Sequence, residues 1–318
     1  METEIRSYTP EMQSQVAGMF SAQYGVDPGH FSRLMNDFYD HPYQKDKCIR
    51  VVALDGKKVI GFQSFFYWPY TFNGKTFNSY QSGNSLVHPD ARGKGIFQKL
   101  LGHIDEHKEQ MQIDFLMGFP VEESRKSFLR NNWENILDLR WYVKPVNPFS
   151  ILFGEEERRL SDHFDEKYPE AVEYLPGQFR LSSDPGFCSW RKAYSGKRYY
   201  HVYEQGDHRA VFSLKFNRRR SFLRELIIGD IRSSSYEASF IREALRDLLR
   251  ATRKSKCITL LTLALNERSR SHVHIRLKEN GFRPVSKSIY FIVKPFAMGM
   301  EILEPANWCI YRSDIDTW

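Results

Sequence analysis

The chain has 318 residues, 41% of them hydrophobic and 15% aromatic, with a net charge of +7. That is longer than one typical domain and supplies apolar side chains for two cores. Its apolar stretches are too short to cross a bilayer. The opening Met1-Glu2-Thr3-Glu4-Ile5-Arg6 is acidic and polar where a secretory signal is basic and then apolar, so a cytoplasmic protein with no membrane partner is expected.

In chain order, Ile5 to Tyr8 read as a first strand. A helix follows Pro10 with Met12, Val16, Met19 and Phe20 on one face. Strands over Cys48 to Leu54 and Val59 to Trp68 are joined by the hairpin signal Asp55-Gly56. A second hairpin at Asn73-Gly74 returns the chain as the strand ending at Val87. His88-Pro89 then turns the chain into Asp90-Ala91-Arg92-Gly93-Lys94-Gly95, and a helix opens with Ile96, Phe97, Leu100, Leu101 and Ile104 as its apolar face. Strand, glycine loop and helix together form an anion-binding device. Glycines let the backbone approach a ligand, and the helix N-terminus offers free N–H groups and a positive dipole end. Arg92 and Lys94 add cations beside them.

The segment from Val87 to Phe97 resembles the acyl-CoA-binding motif of GCN5-related N-acetyltransferases, Arg/Gln-x-x-Gly-x-Gly/Ala. The resemblance implies that Leu86, Val87, Arg92, Gly93, Lys94, Gly95, Ile96 and Phe97 bind the pantetheine arm and pyrophosphate of acetyl-CoA as cosubstrate, with no metal. Phe97 departs from the pattern, standing where the family has Gly or Ala. Further on, a strand over Ile113 to Phe119, a helix over Glu122 to Arg130 and a strand over Arg140 to Lys144 complete the family's order of elements.

The second half repeats the scheme. Strands are expected over Arg198 to Glu204, Ala210 to Phe216 and Leu223 to Ile228. An amphipathic helix carrying Phe240, Ile241, Leu245, Leu248 and Leu249 follows, then a strand over Cys257 to Leu265, another helix and a last strand. Phe291-Ile292-Val293-Lys294-Pro295 echoes Trp141-Tyr142-Val143-Lys144-Pro145, and Asn280-Gly281-Phe282 echoes Asn131-Asn132-Trp133, a domain-sized period. The expectation is an α/β (α+β) chain with a tandem fold of the GCN5-related type, each copy a mixed, mostly antiparallel sheet flanked by helices. The copies are set at residues 1–147 and 148–318, joined near Pro145 to Ser150. The second copy is degenerate: Gly229-Asp230-Ile231-Arg232-Ser233-Ser234-Ser235-Tyr236, read as a turn, has neither paired glycines nor a loop lysine.

Acyl transfer to an amine needs a route for the amine proton and a donor to the leaving thiolate. The resemblance places Gln81 at the family's usual Glu and Phe128 at its usual Tyr, and neither can act. Glu122, Glu123 and His88 remain as candidate bases. Otherwise the acceptor arrives neutral and positioning suffices, or the fold binds acyl-CoA without turnover. The acceptor implied is a small amine or aminosugar. A second reading rests on Arg218-Arg219-Arg220 and on Arg242, Arg246 and Arg250. These could hold RNA phosphates, as in the aminoacyl-tRNA-dependent Fem peptidyltransferases, which this tandem order also resembles.

His103 and His107 are one helical turn apart with no third ligand near in sequence, so no metal site is expected. Cys48, Cys188, Cys257 and Cys309 are too dispersed for a disulfide module or metal knuckle. Reduced, mostly buried thiols are expected.

Overall fold

The computed structural model describes residues 3–147, 160–169, 172, 176–219 and 223–318. Residues 148–150 of the expected junction and Arg220 of the arginine triplet lie outside the described residues.

Strand β1 (Thr3–Ser7) is followed by helix α1 (Gln13–Tyr24), which buries Val16, Ala17, Met19 and Phe20. Helix α2 (Pro28–Leu34) begins with Asp27 accepting the His30 N–H at 3.1 Å and runs into a π-turn at Met35–Tyr39. Strands β2 (Ile49–Asp55) and β3 (Lys58–Tyr67) form the expected hairpin. The Asn73-Gly74 hairpin forms as well, but its arms β4 (Tyr70–Phe72) and β5 (Lys75–Phe77) belong to a separate small sheet. Strand β3 pairs directly with β6 (Ser79–Val87). The expected meander is thus interrupted by an excursion.

Helix α3 (Ile96–His107), strand β7 (Phe115–Gly118), helix α4 (Glu122–Leu129) and strand β8 (Glu134–Pro145) follow as the patterning implies. The short strand β9 (Arg180–Leu181) and helix α5 (Pro185–Tyr194) come next. The second series is β10 (Tyr199–Gln205), β11 (His208–Arg219), β12 (Leu223–Ser233), α6 (Ala238–Lys254), β13 (Leu260–Leu265) and β14 (Arg283–Pro295).

Two expectations are corrected. Residues 229–233, read as a turn, continue β12, because β11 extends far enough to pair Asp230, Ile231, Arg232 and Ser233 with Ser213, Phe212, Val211 and Ala210. The helix expected after β13 is only a 3-10 turn, His272–His274. Buried side chains tie the chain down there: Asn266 Nδ2 donates to Pro305 O and Trp308 O, and Ser271 Oγ donates to Gln178 Oε1. Such local polar bonds compete with helix formation.

The chain forms two compact units that interleave in sequence. One comprises Met1–Ile136, Leu181–Tyr194 and Tyr290–Leu303; the other comprises Leu137–Arg180, Ser195–Ile289 and Glu304–Trp318. Where the sequence reading sets one boundary at 147/148, each unit takes residues from both sides of it. Within the first unit the strand order is β1-β2-β3-β6-β7-β14, with β6 and β7 parallel and β14 antiparallel to β7 through Ile292↔Gly118 to Pro295↔Phe115. Within the second the order is β10-β11-β12-β13-β8, with β12 and β13 parallel and β8 antiparallel to β13 through Leu265↔Arg140 to Leu260↔Pro145.

The two orders match, and the paired stretch that ends each series, Arg140–Pro145 of β8 and Ile292–Pro295 of β14, lies in the unit of the other. The echoed lysines record this. Lys294 Nζ donates to Asn131 O at 2.7 Å and pairs with Asp105 at 2.5 Å, while Lys144 Nζ donates to Asn280 O. Asn132 (φ +60°) and Gly281 (φ +77°) hold the same left-handed position after those asparagines.

Candidate functional site

Strand β6 leaves its parallel neighbour early. Its register with β7 runs Ser79↔Phe115, Tyr80↔Leu116 and Gln81↔Met117 and ends there, whereas against β3 it continues to Val87. A bulge separates the two regimes: Phe65 faces Ser82 and Gln63 faces Ser85, so Ser64 alone stands against Gly83 and Asn84. Bulges bend their strand and re-aim it. Glycine is required at 83, since a Cβ there would lie 2.5 Å from the Phe66 ring. Residues 82–87 therefore run as a strand with one edge paired to β3, straight into the loop.

In the loop, Gly93 and Gly95 sit at φ +76° and +70°, where any other L-residue is strained. Gly95 caps α3 without a side-chain acceptor. The first N–H with a helical acceptor belongs to Lys99, bonded to Gly95 O at 3.1 Å, which leaves the N–H groups of Ile96, Phe97 and Gln98 pointing out of the helix end. Ile96, Leu100, Leu101 and Ile104 hold this end in place against Val51, Ala53, Ile60 and Phe65 of the core.

The two loop cations are braced rather than loose. Arg92 Nε donates to Val87 O at 3.1 Å and its Nη2 to Gln23 Oε1 at 2.6 Å; Lys94 Nζ donates to Asp90 O at 2.8 Å. Both stay exposed, so the fork and the ammonium keep donors for an anion. The side chain of Phe97 turns away from the loop. Its ring meets Phe128 edge-on at 5.2 Å, so the bulky residue packs between α3 and α4 while its N–H stays at the helix end.

The candidate acid and base groups are placed as follows. Gln81 is 1% exposed, and Phe128 lies in the core against Trp133 at 4.8 Å. Glu122 pairs with Arg125 at 3.3 Å, and Tyr290 and Arg125 hold its carboxyl below the usual range, which weakens it as a base. Glu123 is exposed in the same first turn. His88 caps the Pro89–Ala91 turn, its Nδ1 accepting from the Asp90 N–H at 3.3 Å.

The structure adds groups that the sequence hides. At the bulge, the Tyr39 hydroxyl bonds Ser64 Oγ at 2.7 Å and donates to Asn84 Oδ1 at 3.0 Å; Gln63 Nε2 donates to Ser82 Oγ at 3.1 Å. Tyr39 comes from the π-turn, a segment with no period to read. Neither of two cavities, about 550 Å³ around Asp165, Tyr168 and Arg209 and about 300 Å³ around Tyr8, Cys48 and Arg50, includes a loop residue. An extended arm beside a strand needs a groove rather than a chamber.

The equivalent place in the second unit is occupied. The β12/β13 register ends at Ile228↔Leu263, and β12 bulges there at Gly229. Residues 309–318 lie against it. Tyr311 bridges Leu265 and its hydroxyl donates to Ile231 O at 3.1 Å, Ser313 Oγ donates to Asp230 at 3.3 Å, and the Trp318 ring would sit 2.2 Å from a Cβ on Gly229. Trp318 is buried with Trp141, Ile227 and Ala264.

The arginines cited for RNA are largely engaged. Arg219 pairs at 2.6 Å with the buried Glu225, and Arg242, Arg246 and Arg250 pair with Glu279, Glu243 and Asp247. All four cysteines are free; Cys257 and Cys309 are buried, Cys48 is partly so, and Cys188 is exposed.

A strand thus leaves its neighbour at a bulge and feeds a two-glycine helix cap, whose free N–H groups are of the kind that favour an anion. Residues 4–134, which contain it, match the family described as acetyltransferase (GNAT) domain. Among solved structures, a GCN5-related N-acetyltransferase from Anabaena variabilis matches over 92% of this chain and 73% of its own, with TM-score 0.62 and 12% identity. One from Kribbella flavida matches over 93% and 71%, with TM-score 0.59 and 13% identity. The N-myristoyltransferase of Saccharomyces cerevisiae with bound myristoyl-CoA matches over 93% and 79%, with TM-score 0.52 and 12% identity. The likeness is one of fold, α+β throughout. The curated proteins give no match. Among the described residues no helix is long and apolar enough to cross a membrane.

Proposed function

We propose that the protein is an acyl-CoA-dependent N-acyltransferase using acetyl-CoA, with a small amine or aminosugar as acceptor. The observation that carries this reading is the coupling, in one copy only, of an unpaired strand edge at 82–87 to the glycine-capped N-terminus of α3. The pantetheine amides bond the free edge at Leu86 and Val87. The pyrophosphate sits on the N–H groups from Gly93 to Phe97, with Arg92 and Lys94 alongside.

An arm extended back along β6 brings the thioester to the bulge. A backbone N–H there can polarise the carbonyl as the amine attacks, the C–N bond forming as the C–S bond breaks. With Gln81 and Phe128 unable to move protons and Glu122 an acidic carboxyl, the acceptor enters as the free amine and positioning does most of the work. The proton that the attacking amine loses passes through solvent to the departing thiolate, while the buried Tyr39 hydroxyl, bonded to Ser64 and Asn84, braces the bulge.

Release of free thiol from acetyl-CoA, measured across a panel of amines, tests the reading. The rate should climb with pH toward the pKa of the free amine, without an enzyme group titrating near neutrality. A bell-shaped profile whose neutral limb disappears on changing Glu122, Glu123 or His88 would restore a general base and refute this mechanism. Acetyl-CoA binding without turnover of any amine would make the protein a carrier or scaffold. Tight, salt-sensitive tRNA binding with no affinity for CoA would favour the aminoacyl-tRNA reading.

A further inference from the structure

The last turn of α3 carries a cluster that acyl transfer does not use. His103, Glu106 and His107 lie on one face, and a ligand atom of each lies within 4.8 Å of the others. The His103 and His107 rings are 4.3 Å apart. We propose that these three side chains bind one divalent transition-metal ion of the Zn²⁺ class, independently of the acyl-CoA site.

Three observations support it. The Nδ1–H of His107 donates to His103 O at 2.7 Å, which fixes the tautomer and leaves Nε2 with its lone pair outward, the arrangement that orients histidine ligands in metal sites. Both imidazoles are partly exposed and Glu106 is exposed, so an ion can enter from solvent. The position is the C-terminal end of α3, where the helix dipole favours a cation.

Nearby lysines do not compete. Lys108 lies over the Phe296 ring at 5.3 Å, and Lys294 is held by Asp105. Two imidazoles and one carboxylate select Zn²⁺, Ni²⁺ or Cu²⁺ over Mg²⁺ or Ca²⁺ and leave a fourth position for water. The sequence shows the histidine pair, but the third ligand emerges only when the helix sets Glu106 on their side.

The test is titration of the full, tag-free protein with Co²⁺ as a spectroscopic stand-in, and with Zn²⁺ while following thermal unfolding. One Co²⁺ per chain is expected, with absorption typical of nitrogen and oxygen ligands and no thiolate charge-transfer band. Zn²⁺ should raise Tm, as ligands of the native state do. Binding and the Tm rise should vanish in His103→Ala/His107→Ala, and Glu106→Gln should weaken binding about 10-fold or more, at least the cost of losing an outer-shell partner. Circular dichroism matching the parent establishes that the variants are folded. Equal binding by the double variant, a thiolate band, which would implicate a cysteine, or no binding at all overturns the proposal.

Discussion

The two copies differ at the point where the central strand leaves its parallel neighbour. Both strands bulge there and both carry a glycine just past the last paired residue, Gly83 in β6 and Gly229 in β12. In the first unit the strand runs on into a loop with two left-handed glycines and a helix N-terminus. In the second, residues 309–318 lie against the diverging strand and an indole covers Gly229. The bulge is therefore common to both units, and what lies beside it differs. In the second unit the chain supplies its own filler at this point, and the acyl-CoA site proposed for the first unit can be tested against that contrast.

This contrast can be broken at its strongest point by Gly95→Glu. A side chain at φ +70° and a negative charge at the helix end should together abolish acetyl-CoA binding in calorimetry. Unchanged affinity would remove the loop from the site. The parent should bind one acetyl-CoA per chain; two would mean that the second unit is open.

Trp318→Ala asks whether the filler is structural. Losing a buried indole should cost about 3–5 kcal/mol in chemical denaturation. The stoichiometry should stay at one, because the second copy has no glycine loop to expose. A second acetyl-CoA bound by this variant would show that the filler alone closes that copy.

Phe128→Tyr probes the first copy's missing acid. By the family resemblance a hydroxyl at 128 is expected to raise the rate. The ring, however, packs between Phe97 and Trp133 in the core, so the hydroxyl is buried there. The expected outcome is a loss of about 1–3 kcal/mol of stability with no faster thiol release; acceleration would place the leaving thiolate beside α4.

A further effect is one of pH on the second unit. His272 donates through Nδ1 to Asn266 O at 2.8 Å, meets Cys309 Sγ at 3.4 Å and packs on the Tyr311 ring at 4.1 Å. Complete burial pushes its pKa down to about 3. The unfolded chain protonates this imidazole near its ordinary pKa and the folded chain does not, so between the two values the unfolded state binds more protons. Stability is unaffected above that range and falls as pH drops, by about 1.4 kcal/mol per pH unit from this residue. Denaturation midpoints of His272→Asn should fall less steeply over that range; an identical slope would assign the acid sensitivity elsewhere.

Much of the binding half was legible because its signals are local. Glycine pairs, hairpin dipeptides and the apolar face of α3 mark their own conformations, and these elements formed where expected. What the sequence withheld is partnership. Alternation shows that β8 and β14 are strands but not which neighbour each pairs with, and only the echoed Lys144 and Lys294 hint at the exchange. Residues 25–47 and 177–194 carry no clean period because their aromatic side chains pack singly against distant residues. Trp190 Nε1, for instance, donates to Phe38 O at 3.2 Å. Tyr39 belongs to that class, so its link to the bulge could not be read. Residues 229–233 passed for a turn because serines and a glycine suit turns, whereas a long partner strand overrode that preference.

The traded strands also govern how this chain comes into being. Translation releases the glycine loop early, yet the strand that borders β7 is made only after most of the second unit. Until then the nascent first unit presents the edge of β7 unpaired and Asp105 without Lys294, a state open to strand addition by other chains. A gene divided between the two series would encode two polypeptides, each missing its own bordering strand and carrying the other's. Neither should be a stable product alone, and co-expression should rescue both.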